Sequence, residues 1–305
     1  MKERLFTHDV KSIPIFREVI TEDGIMYEPI PDFNGVARMP RNNPWNSGDV
    51  LYVHPSSYQP IMLEQLEEIA YELVECGYRI TGSGELKGNR LAFIELENDE
   101  LPTLSFDGTI LKPKMWIGTS HDGSTALKST IKIVDTWCLN TFMLNSRSDI
   151  LFKAKHTRNS DFRIQNYQNQ LRVASDSITE YYDLVNRLQD TKWHQSRNEK
   201  EFANVLGAVM KPRKRTLKGK VSWTNSKYSG KHQNQLADLD WAYHNSPGQA
   251  ERGDTAWRWF SAVTYWADHM ISDREKESGS NILNGTRARQ KAKAFDVAKE
   301  YAIGY

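Results

Sequence analysis

The sequence predicts an α+β protein, with an antiparallel β-meander core in the first half and a helical second half. Three observations carry that expectation. Between Arg90 and Lys155, apolar residues alternate in short runs separated by turn dipeptides. Beyond Asp161 they recur at three- and four-residue steps instead. A length of 305 residues with 39% hydrophobic content is enough for one large domain with a sizeable core. The reading is a single α+β domain over residues 59–305, preceded by an irregular arm over residues 1–58.

Pro29, Pro31, Pro40, Pro44, Pro55 and Pro60 punctuate the arm, so short strands at most are expected there. Pro60 reads as the first residue of a helix. Met62, Leu66, Ile69, Ala70, Leu73 and Val74 follow at helical spacing, acidic residues occupy its first turns, and Gly77 closes it. Gly82-Ser83-Gly84 and Gly88 read as a glycine-rich turn. Strands are expected at Arg90–Leu96, Leu104–Phe106 and Lys114–Ser120, with Asp107-Gly108 and Asp122-Gly123 as tight turns. Ala126–Trp137 alternates again, and Ile150–Lys155 adds a last strand. Turns this short join antiparallel neighbours, because parallel pairs need long crossovers.

Asp161–Trp193 carries an apolar stripe through Leu171, Ala174, Ile178, Tyr181, Tyr182, Val185 and Leu188. A shorter helix covers Glu199–Met210. Asp254 or Thr255 caps another, whose face is Trp257, Phe260, Val263, Thr264 and Ala267. Trp259 and Trp266 lie off that stripe, so both faces of the helix should be covered. A polar linker, Ser272–Gly285, leads to a last basic helix over Thr286–Tyr301.

Mean hydropathy of -0.65 and the lack of a long apolar run or secretory leader predict a soluble protein with no membrane partner. Two cysteines, Cys76 and Cys138, are too few for a disulfide framework, which points to a reducing cytoplasm. The net charge of +1 conceals an uneven distribution. Between Glu201 and Asp238 there is no acid, but Lys211, Arg213, Lys214, Arg215, Lys218, Lys220, Lys227 and Lys231 all fall there. This basic insertion, near residues 211–235, reads as a loop or hairpin. Its cations are interleaved with Trp223 and Tyr228. Cations track a phosphate backbone while rings stack on exposed bases, so the pattern suits single-stranded nucleic acid, against the plainer reading of a solvated basic loop. Lys153, Lys155 and Arg158 form a second basic run, either a phosphate-contacting rim or a solvated strand edge.

His121-Asp122-Gly123-Ser124 is the most tempting catalytic cluster, since a His beside an Asp can exchange protons. Asp-Gly is also a favoured turn dipeptide, and the turn reading is preferred. Cys138 reads as a small buried hydrophobe. No paired metal-ligand spacing and no phosphate-cradling glycine motif occurs, so no catalytic residue, metal or cofactor is assigned. A hydrolase using His121, Asp122 and His156, with or without a metal, stays open as an alternative.

Three blocks together resemble one family: Gly88 through Leu96, Thr119-Ser120-His121-Asp122-Gly123-Ser124 through Cys138-Leu139-Asn140-Thr141, and Lys155-His156-Thr157. The stretch from Gly253-Asp254-Thr255-Ala256-Trp257 to Tyr265 and the ending Gly285 to Phe295 fit it too. The chain is similar, over roughly residues 55–302, to the phage- and plasmid-borne domain-of-unknown-function family numbered nine hundred thirty-two. The resemblance implies a bacterial host, and a setting of DNA processing or evasion of host defence, and it supplies no catalytic residues. The leading expectation is therefore a non-enzymatic, homo-oligomeric protein of phage or plasmid DNA metabolism that binds single-stranded DNA, akin to strand-annealing recombination proteins. An interaction protein that blocks a host defence enzyme is the alternative from another class.

Overall fold

The computed structural model describes residues 4–40, 48–106, 109–136, 138–143, 150–154, 167–208, 213–217, 220–224, 228–270, 272 and 285–304. The stretch expected to be an irregular arm instead builds a three-stranded antiparallel sheet. Its strands are β1 (His8–Thr21), β2 (Gly24–Pro40) and β3 (Val50–Pro55), in that order. Asp23-Gly24 closes the first hairpin, with Gly24 at φ +125°. Pro14 and Pro40 stand where they do not interrupt the ladder. Pro14 lies on the edge strand β1, beside the irregularity where pairing skips from Pro14 to Phe16, and Pro40 ends β2.

Helix α1 (Leu63–Glu75) buries Leu63, Leu66, Ile69, Ala70 and Leu73, the face its spacing predicts. Met62 is its N-cap, so it begins at Leu63 rather than at Pro60. The Gln65 side chain accepts a hydrogen bond from the Met62 N–H at 2.9 Å, which satisfies a donor that the helix itself leaves open. Beyond its end, Gly77 takes φ +92°, and Gly77 and Tyr78 donate back to Val74 and Leu73.

A seven-stranded sheet follows, from β4 (Arg79–Leu86), β5 (Leu91–Glu97), β6 (Leu104–Phe106), β7 (Thr109–Ser120), β8 (Leu127–Asp135), β9 (Thr141–Met143) and β10 (Ile150–Ala154). Its order is β10-β8-β7-β5-β4, with β6 on β7 and β9 on β8, which is the predicted meander. Gly82-Ser83-Gly84 is strand, not turn. Gly84 and Gly118 both pair with Phe93, and the Trp116 ring lies across Gly118, where a Cβ would meet it at 2.0 Å. Phe93 and Trp116 stack at 6.1 Å, so large rings fill the space that the glycines leave.

The chain divides into two compact units, Met1–Pro102 with Pro113–Lys132 and Leu144–Ile178, and Thr103–Lys112 with Ile133–Met143 and Thr179–Tyr305. The first is built on α1 and most of the strands, around Leu66, Ile69, Ile94, Ile117 and Ile131. Helix α2 (Tyr167–Asp190) contributes to both. The second unit adds α3 (Asn198–Leu206), the hairpin of β11 (Arg213–Leu217) and β12 (Lys220–Thr224), α4 (Gly230–Asn245), α5 (Ala256–His269) and α6 (Thr286–Ile303). Helix α5 packs against α4 and α6 and starts at Thr255, whose Oγ1 accepts from Arg258 N–H. Both of its faces are covered, as expected: Trp257, Trp259, Phe260 and Trp266 are all buried. Trp259 stacks on Trp193 at 4.7 Å, and the Arg287 guanidinium sits 3.6 Å from the centre of the Trp266 ring.

Helix α3 stops short of Met210 because Gly207 turns left-handed at φ +65°. Helix α4 carries no periodic signal in the sequence. Only Leu239, Ala242 and Tyr243 are buried on it, and its start is marked by the Ser229 cap alone. The Asp107-Gly108 turn and residues 273–284 of the linker lie outside the described residues.

Candidate functional site

The basic insertion is a two-stranded hairpin, and its register groups the cations. Lys214 pairs with Trp223, Arg213 with Thr224, Arg215 with Ser222 and Leu217 with Lys220. Strand positions alternate between faces, so the positions of Arg213, Arg215 and Lys220 share one face of the ladder and those of Lys214 and Trp223 the other. Lys231, in the first turn of α4, is exposed. Tyr228 requires a correction. It is buried just ahead of α4, so its ring is not available to stack on a base. Lys211, Lys218 and Lys227 fall outside the described residues, as do Lys155, His156 and Arg158. Lys153 is on β10, directly opposite Lys128 on β8.

The His121-Asp122-Gly123 cluster is a turn, as its residues predict. The Asp122 Oδ1 accepts from Ser124 N–H at 3.0 Å, and Gly123 takes φ +69°. His121 is fully buried, and its backbone N–H donates to the Arg90 carbonyl at 2.7 Å. Burial alone would raise the Asp122 carboxyl, but hydrogen bonds from Ser124 and Ser120, with the charge of Lys87, hold it below the usual carboxylate range. Two neighbours carry no signal in the sequence. The Tyr58 hydroxyl donates to the Ser120 carbonyl at 3.3 Å, and Lys87 Nζ reaches Ser124 Oγ at 3.3 Å. Tyr58 lies in the stretch read as an arm, so nothing local joins it to the turn. Among the described residues, no group of three or more His, Cys, Asp or Glu stands where it could hold a metal ion.

Around Cys138-Leu139-Asn140-Thr141 lies a largely buried polar lattice. Asp135, at the end of β8, receives a hydrogen bond from Arg252 at 2.6 Å, and both side chains are buried. Leu139 turns left-handed at φ +55° and returns the chain so that Asp135 N–H donates to the Asn140 carbonyl. Asn140 Nδ2 then donates to the Ser261 carbonyl at 3.2 Å and to Thr264 Oγ1 at 3.0 Å, both on α5. Thr141 N–H donates to Asp268 Oδ2 at 2.7 Å. Lys291 of α6 donates to the Thr141 carbonyl at 2.7 Å and to Asp268 Oδ1 at 2.8 Å. Beside this lattice, Ile133, Phe142, Tyr181 and Phe260 help line a small cavity.

Burial pushes the Cys138 thiol up to about 12, and the Asp135 charge adds to it against Arg252. Cys76 is exposed. A thiol reagent at pH 8 is therefore expected to label one cysteine per native chain, Cys76, and two after denaturation. Rapid native labelling of Cys138 would show the lattice to be open.

The family model described as "Domain of unknown function (DUF932)" matches residues 50–295, from β3 into α6. No curated protein and no solved structure matches the chain.

Proposed function

The chain belongs to the DUF932 family of domains of unknown function, and we propose that it is a nucleic-acid-binding protein that takes single-stranded DNA along the hairpin β11–β12. The observation that carries this reading is the hairpin's register. Over the whole interval between Glu201 and Asp238 every Lys, Arg, Asp or Glu is a cation, and the ladder groups Arg213, Arg215 and Lys220 on one face with Lys214 beside Trp223 on the other. Closely spaced cations follow a phosphate backbone, and a ring among them stacks on a base without reading its identity. Lys153, on β10, is a separate candidate phosphate contact. The role that fits is in phage or plasmid DNA metabolism within the bacterial cytoplasm, with strand annealing during recombination as its specific form. It needs neither cofactor nor catalytic residue.

The test is a titration of a fluorescent single-stranded oligonucleotide across salt concentrations. The wild-type protein is expected to lose affinity steeply between about 50 and 200 mM salt. Changing Lys211, Arg213, Lys214 and Arg215 together to Ala is expected to weaken binding at least tenfold at low salt. It should also flatten the salt slope by up to about 3, at roughly 0.7 per lost single-strand phosphate contact. Trp223→Ala is expected to cost about 1–3 kcal/mol with the slope unchanged, because stacking releases no counterion. Unaltered binding in the quadruple variant removes the hairpin from the site.

A further inference from the structure

Asn140 and Trp257 each keep one side-chain polar atom without a hydrogen-bond partner among the described residues, and both line the small cavity beside the lattice. They are 5% and 3% exposed, so bulk solvent does not satisfy them. Chemistry fixes the orientation of the Asn140 amide. Its Nδ2 faces the Ser261 carbonyl at 3.2 Å, which can only accept, so the unpartnered atom is the acceptor Oδ1. The Trp257 indole has a single N–H and can only donate. Phe106 and Phe260 flank its ring at 6.0 and 5.6 Å, and neither offers it an oxygen. One orphan is thus an acceptor on the turn before β9, and the other a donor in the first turn of α5.

A buried polar group without a partner is costly, and folded proteins keep few of them. The other buried indoles show what sets Trp257 apart. Trp193 donates to Asn198 Oδ1 at 2.8 Å and is satisfied. Trp259 and Trp266 also lack a partner for Nε1, but neither lines the cavity. Trp257 joins an unpartnered N–H to a space that can hold its acceptor. A wholly apolar cavity stays dry, whereas one walled by a donor and an acceptor retains water.

We propose that this cavity is a water site, in which one ordered water accepts from Trp257 Nε1 and donates to Asn140 Oδ1. The Asp135 carboxylate and the Tyr181 hydroxyl, in the same wall, are the acceptors for its second hydrogen. The water extends the contact that Asn140 already makes through Ser261 and Thr264, and so helps to hold the Cys138–Thr141 turn against α5. The site takes no part in nucleic-acid binding, so its test is independent of the hairpin.

The chain has nine tryptophans, and isotope labelling of their indoles allows the Trp257 signal to be assigned by its loss in Trp257→Phe. The Trp257 indole proton is expected to show a nuclear Overhauser effect to a long-lived water, and the Trp193 indole proton to show none. A high-resolution crystal structure is expected to place a water within hydrogen-bond distance of both Trp257 Nε1 and Asn140 Oδ1. Wild-type crystals under xenon pressure should take up no xenon there, because the water holds the space. A cavity that binds xenon and contains no water overturns the proposal. So does a Trp257 indole with no effect to water, or an ordered water that bonds to neither Trp257 nor Asn140.

Discussion

Lys291→Met is expected to destabilise the protein by about 3–5 kcal/mol, because it strands a buried carboxylate. The Lys291 and Asp268 side chains are 3% and 5% exposed and 2.8 Å apart. Each also holds Thr141, Asp268 through the backbone N–H and Lys291 through the carbonyl. Removing the ammonium leaves Asp268 charged in a space that water does not reach, and the Thr141 carbonyl loses its donor. For a chain of this size the melting temperature should fall by roughly 10 °C. The asymmetry is the informative part. Replacing both partners, as Asp268→Leu with Lys291→Met, leaves no orphaned charge and is expected to recover much of the loss. A thermal melt of the two single variants and the double variant checks this. Equal losses in all three would mean that the pair contributes through packing rather than charge.

Arg252→Met is expected to cost about 3 kcal/mol for the same reason, since Asp135 is buried with it at 2.6 Å. Arg252 also lies 6.0 Å from the Trp257 ring centre and 3.9 Å from Cys138 Sγ, so its removal loosens the packing around the Cys138 turn. Arg252→Lys keeps the charge but not the planar fork and is expected to fall between wild type and Met. Arg289 is exposed on α6, and Arg289→Ala should change stability by less than about 0.5 kcal/mol. Urea midpoints for the three variants test the ranking. If Arg252→Met and Arg289→Ala prove equal, the lattice does not hold the motif.

These two pairs give Cys138-Leu139-Asn140-Thr141 a structural role. Asn140 and Thr141 dock the start of β9 onto α5 and α6, where ordinary strand residues would leave backbone groups unpaired. In the sequence, Lys291 and Arg287 read as part of a last basic helix. In the structure Lys291 is an interior partner, and Arg287 is stacked on Trp266. A charge in a sequence does not announce its partner, and in this lattice the partners are 23 to 150 residues away.

What the sequence by itself determined is the part governed by local physics. Helix α1 followed from apolar residues at three- and four-residue steps and a closing glycine. Helix α5 followed from a Thr cap ahead of an apolar stripe, and the meander from alternation between short turns. The His121-Asp122-Gly123 turn followed from the conformational freedom of Asp-Gly. The N-terminal sheet escapes a local reading because proline counts there as a breaker, although Asp23-Gly24 between apolar runs is a hairpin signal. Only the tertiary structure decided that an edge strand tolerates Pro14, that Tyr228 is buried among its neighbours, and that Asp135, Asp268 and Thr141 meet Arg252 and Lys291. Period, propensity and turn chemistry act over a few residues. Burial and charge pairing depend on which distant segments the fold brings together, and it is those contacts that separate a buried lysine from a binding one.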